Sequence, residues 1–172
     1  MRPRTVAAIG LYSALAYAGS FVLMVIPNAT LGILMVFFGG YGTGTLAGCL
    51  IGAISATLIS LFNPYGMAML PILLAQIGGY SCVGMLGGSL ANRLNARTSV
   101  YYLLSLGLLG VTTALLYQIP VSIVDAWLFG PFRERLVVSA SFALITVASN
   151  VIFFIVLFPI LAKLQKVAIF KT

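Results

Sequence analysis

The chain has 172 residues, of which 62% are hydrophobic and only 6% charged, and its mean hydropathy is +1.16. No soluble domain of this size has an interior large enough to hide that much apolar surface, so lipid is the expected solvent for most of it. The net charge of +7 comes from basic residues scattered at segment ends, where the positive-inside bias accounts for them without nucleic acid.

With no histidine and only two cysteines, Cys49 and Cys82, both inside apolar runs, neither a His/Cys metal site nor any other cofactor site is expected. At about 20 residues per span there is room for five or six helices and almost nothing outside the bilayer. The expectation is one compact all-α integral membrane domain over the whole chain, a bundle of six transmembrane helices. No nucleotide-binding motif is present, so an ATPase that drives transport here has to be another chain.

The first helix is expected over about residues 5–26, ending at Pro27-Asn28. Ala16-Tyr17-Ala18-Gly19 resembles a signal-peptide cleavage site, but the apolar run continues to Ile26, which favours an uncleaved helix. Gly10, Ala14 and Ala18 recur every four residues and form one flat stripe, fit either for packing inside the bundle or for docking a separate membrane subunit. A short second helix, about 29–38, leads into Gly39-Gly40-Tyr41-Gly42-Thr43-Gly44. That run lacks the Lys-Ser/Thr ending of a phosphate-binding loop and reads as a flexible link. The third helix, about 45–62, carries small residues at Gly44, Gly48, Gly52, Ala56 and Ser60, a stripe for close internal packing.

Asn63-Pro64-Tyr65-Gly66 is a turn signal: proline fixes one dihedral, glycine supplies a positive φ, and asparagine caps with its side chain. The fourth helix follows over about 67–90, with Pro71 in its first turns, where proline does least harm. Its exit, residues 92–97, is the clearest basic loop. A long fifth helix, about 99–128, has Pro120 as the obvious place for a break. The sixth, about 135–164, carries Asn150 in its middle and Pro159 near its end.

With six spans, Arg2, Arg4, Arg93, Arg97, Lys163, Lys166 and Lys171 share one side, and Arg133 and Arg135 the other. The bias puts both termini in the cytoplasm and turns Asn28, Asn63–Tyr65 and 129–134 outward. Polar groups within the membrane cost free energy unless they pair or face water, which makes them candidates for function. Gln76, Tyr117, Gln118, Asp125, Trp127 and Asn150 come from the last three helices and occupy the outer half to the middle of the bilayer. With Asn28, Asn63 and Tyr65 at the rim they describe a substrate site open to the outside. Competing roles are plain enough: Trp127 and Tyr65 as interfacial aromatics, Gln76 and Asn150 as bonds between helices, and Asp125 as an ion-pair partner of Arg133 or Arg135. One acid, several amides and aromatics suit a small neutral or weakly cationic heterocycle, and the scarcity of cations argues against a phosphorylated one. No catalytic residue set is present: there is no Ser/His/Asp arrangement and no pair of intramembrane carboxylates.

Six helices in so short a chain, the Gly10/Ala14/Ala18 stripe, the Phe62-Asn63-Pro64-Tyr65-Gly66 turn and the segment Ser149-Asn150-Val151-Ile152-Phe153-Phe154 together resemble a substrate-binding S component of an energy-coupling-factor (ECF) transporter. The resemblance covers essentially the whole chain. It implies a prokaryotic cell-membrane protein that captures a vitamin or related micronutrient from outside and docks on a transmembrane T component with two ATPases. The family's helix-1 motif, Ala-x-x-x-Ala, is matched by Ala14 and Ala18, and the family's binding sites are lined by outer loops and helices 4 to 6. The cobalt and nickel branch uses N-terminal histidine chemistry, which this chain lacks. Two alternatives belong to other classes: a small multi-spanning scaffold of the rod-shape-determining type, with a partner surface but no outward pocket, and a stand-alone secondary transporter. The lack of a deep ionisable residue counts against the last.

Overall fold

The computed structural model describes residues 1–23, 25–91, 94 and 100–169, with side chains as far as residue 164. Among these, every regular element is a helix: α1 Pro3–Val22, α2 Gly32–Thr43, α3 Thr45–Leu61, α4 Leu70–Leu90, α5 Val100–Phe129 and α6 Phe132–Ile169. Arg93, Arg97, Lys171 and the basic loop 92–97 apart from Leu94 lie outside the described residues, as does the side chain of Lys166. Prolines open α1 and α4 at their first turns, where the missing N–H would have had no helical partner in any case.

Four helices are long and apolar enough to cross a bilayer: α1, α4, α5 and α6 through Leu164. The two remaining helices are apolar but shorter, as the brief second helix was expected to be. α2 has 12 residues and α3 has 17, about 18 and 25 Å at 1.5 Å per residue, against a hydrocarbon core of about 30 Å.

The short α2 is the centre of the molecule. Ile33, Leu34, Val36 and Phe37 are wholly buried, and Gly32, Phe38, Gly39 and Gly40 nearly so. All five other helices touch it. Phe37 meets Phe154 and Phe158 of α6 edge-on, at centroid distances of 5.1 and 5.8 Å, and Tyr41 meets Phe158 at 5.2 Å. A helix apolar on every face is what burial on every face requires.

The glycine-rich run after Phe38 is not a flexible link. α2 continues through Thr43, and only Gly44, at φ +96°, breaks it. The glycines are contact surfaces. A Cβ on Gly40 would collide with the Gly84 carbonyl of α4, one on Gly48 with that same carbonyl, and one on Gly52 with the Tyr80 carbonyl. In lipid there is no hydrophobic drive between helices, so association depends on backbones approaching closely enough for dense van der Waals contact. Glycine at these positions makes α2, α3 and α4 a three-helix seam.

α5 is also a correction, since it runs unbroken across Pro120. Proline at 120 leaves the Leu116 carbonyl without its helical donor. Gly79 of α4 abuts that point, for a Cβ there would lie 3.1 Å from the Leu116 oxygen and 2.9 Å from the Tyr117 Cα. Membrane helices tolerate proline where a neighbour presses against the disturbed turn, and α4 supplies that neighbour.

α1 turns Ile9, Ser13, Ala16 and Gly19 inward. Gly10, Ala14 and Ala18 fall on its exposed face, and no atom lies within 4 Å of where a Gly10 Cβ would be.

Candidate functional site

At the end of the bundle where α1, α3 and α5 finish and α2, α4 and α6 begin, the helix ends enclose a cavity of about 420 Å³. That volume falls within the usual range for small-molecule sites, about 300–1,000 Å³. Its rim is formed by the α1–α2 connection, Ile26 to Thr30, and by Asn63 and Tyr65 of the α3–α4 turn. The turn forms as its sequence dictates: the Asn63 Oδ1 accepts the Tyr65 N–H at 2.9 Å, the Gly66 N–H donates to the Asn63 carbonyl at 3.0 Å, and Gly66 takes φ +107°. The Tyr17 hydroxyl donates to the Phe62 carbonyl at 3.3 Å and ties α1 to this turn.

The floor of the cavity is the N-terminus of α2. A methyl group at Gly32 would sit 3.1 Å from both the Thr30 Oγ1 and the Tyr80 hydroxyl, and closer still to the Ser20 Oγ. Three hydroxyls from α1, the connection and α4 therefore converge on one point, and only glycine leaves them room. Thr30 Oγ1 accepts the Gly32 N–H at 3.0 Å, and Ser20 donates to the Ala16 carbonyl at 2.8 Å. Tyr80 and Tyr117 make an aromatic wall, edge to face with centroids 4.7 Å apart. Ile59 and Phe21 add apolar surface.

Two expected residues lie behind the cavity lining, Gln76 beside Tyr117 and Asn150 beside Thr146. Gln76 lines neither this cavity nor the one described next. It accepts a hydrogen bond from Ser60 of α3 and lies within reach of the Tyr117 phenol, so it joins α3, α4 and α5. Asn150 is wholly buried in α6 one turn from Thr146, whose carbonyl accepts its Nδ2 at 2.9 Å, while its Oδ1 has no partner.

A second cavity of about 260 Å³ adjoins the first, and Asn28 lines both. Asn28 takes φ +61°, a conformation asparagine tolerates better than most side chains. Its carbonyl accepts the Thr146 hydroxyl at 3.2 Å, which pins the α1–α2 connection to α6. Gln118, Ser122 and Asp125 of α5 face Arg135 and Ser139 of α6 across this space. Gln118 Nε2 donates to Ser122 Oγ at 3.2 Å. Asp125 pairs with Arg135 at 3.1 Å, both side chains partly exposed, and the Arg135 guanidinium rests over the Phe129 ring 5.1 Å from its centroid.

The nine expected residues thus divide. Asn28, Asn63, Tyr65 and Tyr117 line the larger cavity, and Gln118 and Asp125, with Asn28, the smaller. Gln76 and Asn150 stand behind the walls. Trp127 is 75% exposed and lines neither cavity. Sequence reasoning passed over Ser20, Thr30, Tyr80 and Thr146. Tyr80 carried a usable signal, as a bulky polar ring in the otherwise small run Gly78-Gly79-Tyr80-Ser81. Among the described residues no group of three His, Cys, Asp or Glu is placed to hold a metal ion.

A family model, described as ECF-type riboflavin transporter, S component, matches residues 1–166. Among curated proteins and solved structures, no match is found. The scaffold and stand-alone carrier readings give way to the family match. With a ligand-sized cavity at one end of an apolar helical bundle and a match over nearly its full length, the chain belongs to the S components of ECF-type riboflavin transporters, which are membrane substrate-binding subunits and not enzymes.

Proposed function

We propose that this protein captures riboflavin from the outer side of a prokaryotic cell membrane and delivers it through a T component and two ATPase subunits. In this reading all six helices form one transmembrane domain. Arg2, Arg4 and Lys163 lie at the cytoplasmic end with both termini, and Arg133 and Arg135 at the outer end with both cavities. α2 and α3 pair through Gly44, which lies against Gly88 near the cytoplasmic end of α4, so the pair reaches from one end of the bundle to the other.

The observation that carries the cargo assignment is the larger cavity, in a chain of this family. Its size suits a tricyclic ring. The Tyr80–Tyr117 pair offers aromatic surface for the ring, and Asn63, Ser20, Thr30 and the Tyr80 hydroxyl offer donors and acceptors for its polar edge. Among the described residues no cation lines this cavity, consistent with a neutral vitamin. The exposed Gly10/Ala14/Ala18 stripe on α1 is the surface we assign to the T component, because it is free of contacts within the chain and flat enough for another helix to approach.

Thermal unfolding of the detergent-purified protein against a vitamin panel tests the assignment. Riboflavin at a hundred times its dissociation constant adds about 2.7 kcal/mol of stability by linkage, and flavin fluorescence gives the affinity directly. Stabilisation by riboflavin and not by thiamine, biotin or folate is the expected result. A response to another vitamin, or to none, refutes it.

A further inference from the structure

Gln76 lines neither cavity, yet it lies between a buried hydroxyl on α3 and a phenol in the cavity wall. Ser60, only 2% exposed, donates to the Gln76 Oε1. Its neighbours on α3 behave differently. Ser55 and Thr57 turn their hydroxyls back to the Ile51 and Ala53 carbonyls of their own helix, the usual choice for a hydroxyl in an apolar helix. Ser60 gives its proton across the helix contact instead. At this level α4 is packed hard against α5, for a Cβ on Gly79 would come within 2.9 Å of the Tyr117 Cα. Tyr117 in turn lines the larger cavity, its ring edge to face with Tyr80. We infer that Gln76 is a positioning residue: it holds the Tyr117 hydroxyl with a lone pair toward α4 and its proton toward the cavity, as a donor to a carbonyl oxygen or ring nitrogen of the bound ligand. This role rests on the riboflavin reading above and adds to it the direction of one hydrogen bond.

A carboxamide has one accepting end and one donating end. With the Ser60 hydroxyl on the oxygen, the NH2 group is left for Tyr117, which lies within its reach. A phenol that accepts from behind keeps its single proton for the front, whereas one that donates backward offers the cavity only lone pairs. The two polarities recognise opposite ligand edges. The first suits a carbonyl oxygen or an aromatic nitrogen, and an isoalloxazine ring carries several of these. The second suits an N–H. Reversal requires the amide to turn over, so that its NH2 meets Ser60 and its oxygen meets Tyr117. Ser60 would then have its proton back for its own helix, as Ser55 and Thr57 do. The observed Ser60 bond selects the first polarity. Because Ser60, Gln76 and Tyr117 come from α3, α4 and α5, the direction is set by the bundle before a ligand arrives, and binding bears no cost of turning the hydroxyl.

A double-mutant cycle on riboflavin affinity, read by flavin fluorescence on the full-length protein, tests this role. Gln76→Met keeps the length of the side chain and removes its N–H donors. Gln76→Met and Tyr117→Phe are each expected to weaken riboflavin by about two- to tenfold, the range for one neutral hydrogen bond. The decisive comparison is between backgrounds. Added to Tyr117→Phe, the Gln76→Met change is expected to cost about twofold or less, because the hydroxyl through which it acts is already gone. The visible absorption band of bound riboflavin is expected to move from its wild-type position in both single variants, since a donor on the ring's acceptors shifts that transition. If Gln76→Met is not recovered folded, Ser60→Ala makes the same comparison, for it frees the amide to turn over. Equal losses in the Tyr117 and Phe backgrounds mark a packing role and overturn the inference, leaving the riboflavin reading standing. Undiminished affinity in Gln76→Met, or in Tyr117→Phe, does the same. Failure of the wild-type protein to bind riboflavin overturns both.

Discussion

Gly84→Ala and Gly10→Ala place the same added methyl group on two small-residue faces, and the structure expects opposite outcomes. Gly84 faces the Gly48 carbonyl, carbon and Cα across the α3–α4 contact, all backbone atoms. A methyl carbon needs about 3.5 Å from its neighbours, and backbone, unlike a side chain, has no rotamer by which to retreat. α3 and α4 must part, and the Gly40 contact with the same stretch of α4 loosens with them. Overpacking of this kind costs about 1–3 kcal/mol. At about 2–4 °C per kcal/mol for a chain of this size, the unfolding midpoint falls by roughly 2–12 °C. Gly10 has open space around it, so its methyl meets nothing, and alanine's better helix propensity leaves the midpoint unchanged or slightly raised. Ligand-free thermal unfolding in one detergent, followed by circular dichroism, compares the three proteins. Equal losses in both variants, or a fully stable Gly84→Ala, refutes the assignment of the two faces.

Ala14→Leu fills the exposed stripe on α1 without touching the cavity, so riboflavin affinity stays at the wild-type value while co-purification with the T component and ATPases falls. A loss of riboflavin binding in this variant contradicts the division of labour between the two faces. Thr146→Val removes the hydroxyl that holds the Asn28 carbonyl and keeps the side-chain shape. Loss of about 0.5–1.5 kcal/mol for that bond weakens riboflavin by roughly two- to tenfold, mainly through faster dissociation seen in stopped-flow fluorescence. An unchanged dissociation rate shows that the bond does not hold the connection over the ligand.

How far the sequence foretold this structure depends on what kind of signal each part carries. α1, α4 and α6 announce themselves by sustained hydropathy, and the Asn63–Gly66 turn by residues with few other uses. The end of α2 was hidden because Gly39–Gly44 has the composition of a linker. What makes it helix is the face of α4 at Gly84 and Gly87, more than forty residues away, and no local pattern reports that. The site divides on similar lines. Amides and the lone acid stand out against an apolar background and were found. Ser20 and Thr146 bond to carbonyls four residues back in their own helices, as hydroxyls in membrane helices ordinarily do, so nothing in their spacing marks them as cavity residues. Gln76 and Asn150 carried the same polar signal as Asn63 but fell behind the wall, because periodicity gives depth and helix face only approximately. Depth alone does not separate a lining amide from one that ties helices together.

The enclosure of α2 bears on how the chain is made. α2 leaves the ribosome before α4, α5 and α6, yet those helices cover a large part of its surface, and the faces that Phe37 turns to Phe154 and Phe158 are supplied last. A 12-residue helix also gives the insertion machinery little to recognise as a span. The α2–α3 hairpin must therefore wait, partly uncovered, until synthesis of the final helix closes the bundle around it. A chain halted before Phe132 has every α2 residue but no lid for its aromatic face, and membrane quality control has its longest opportunity in that interval.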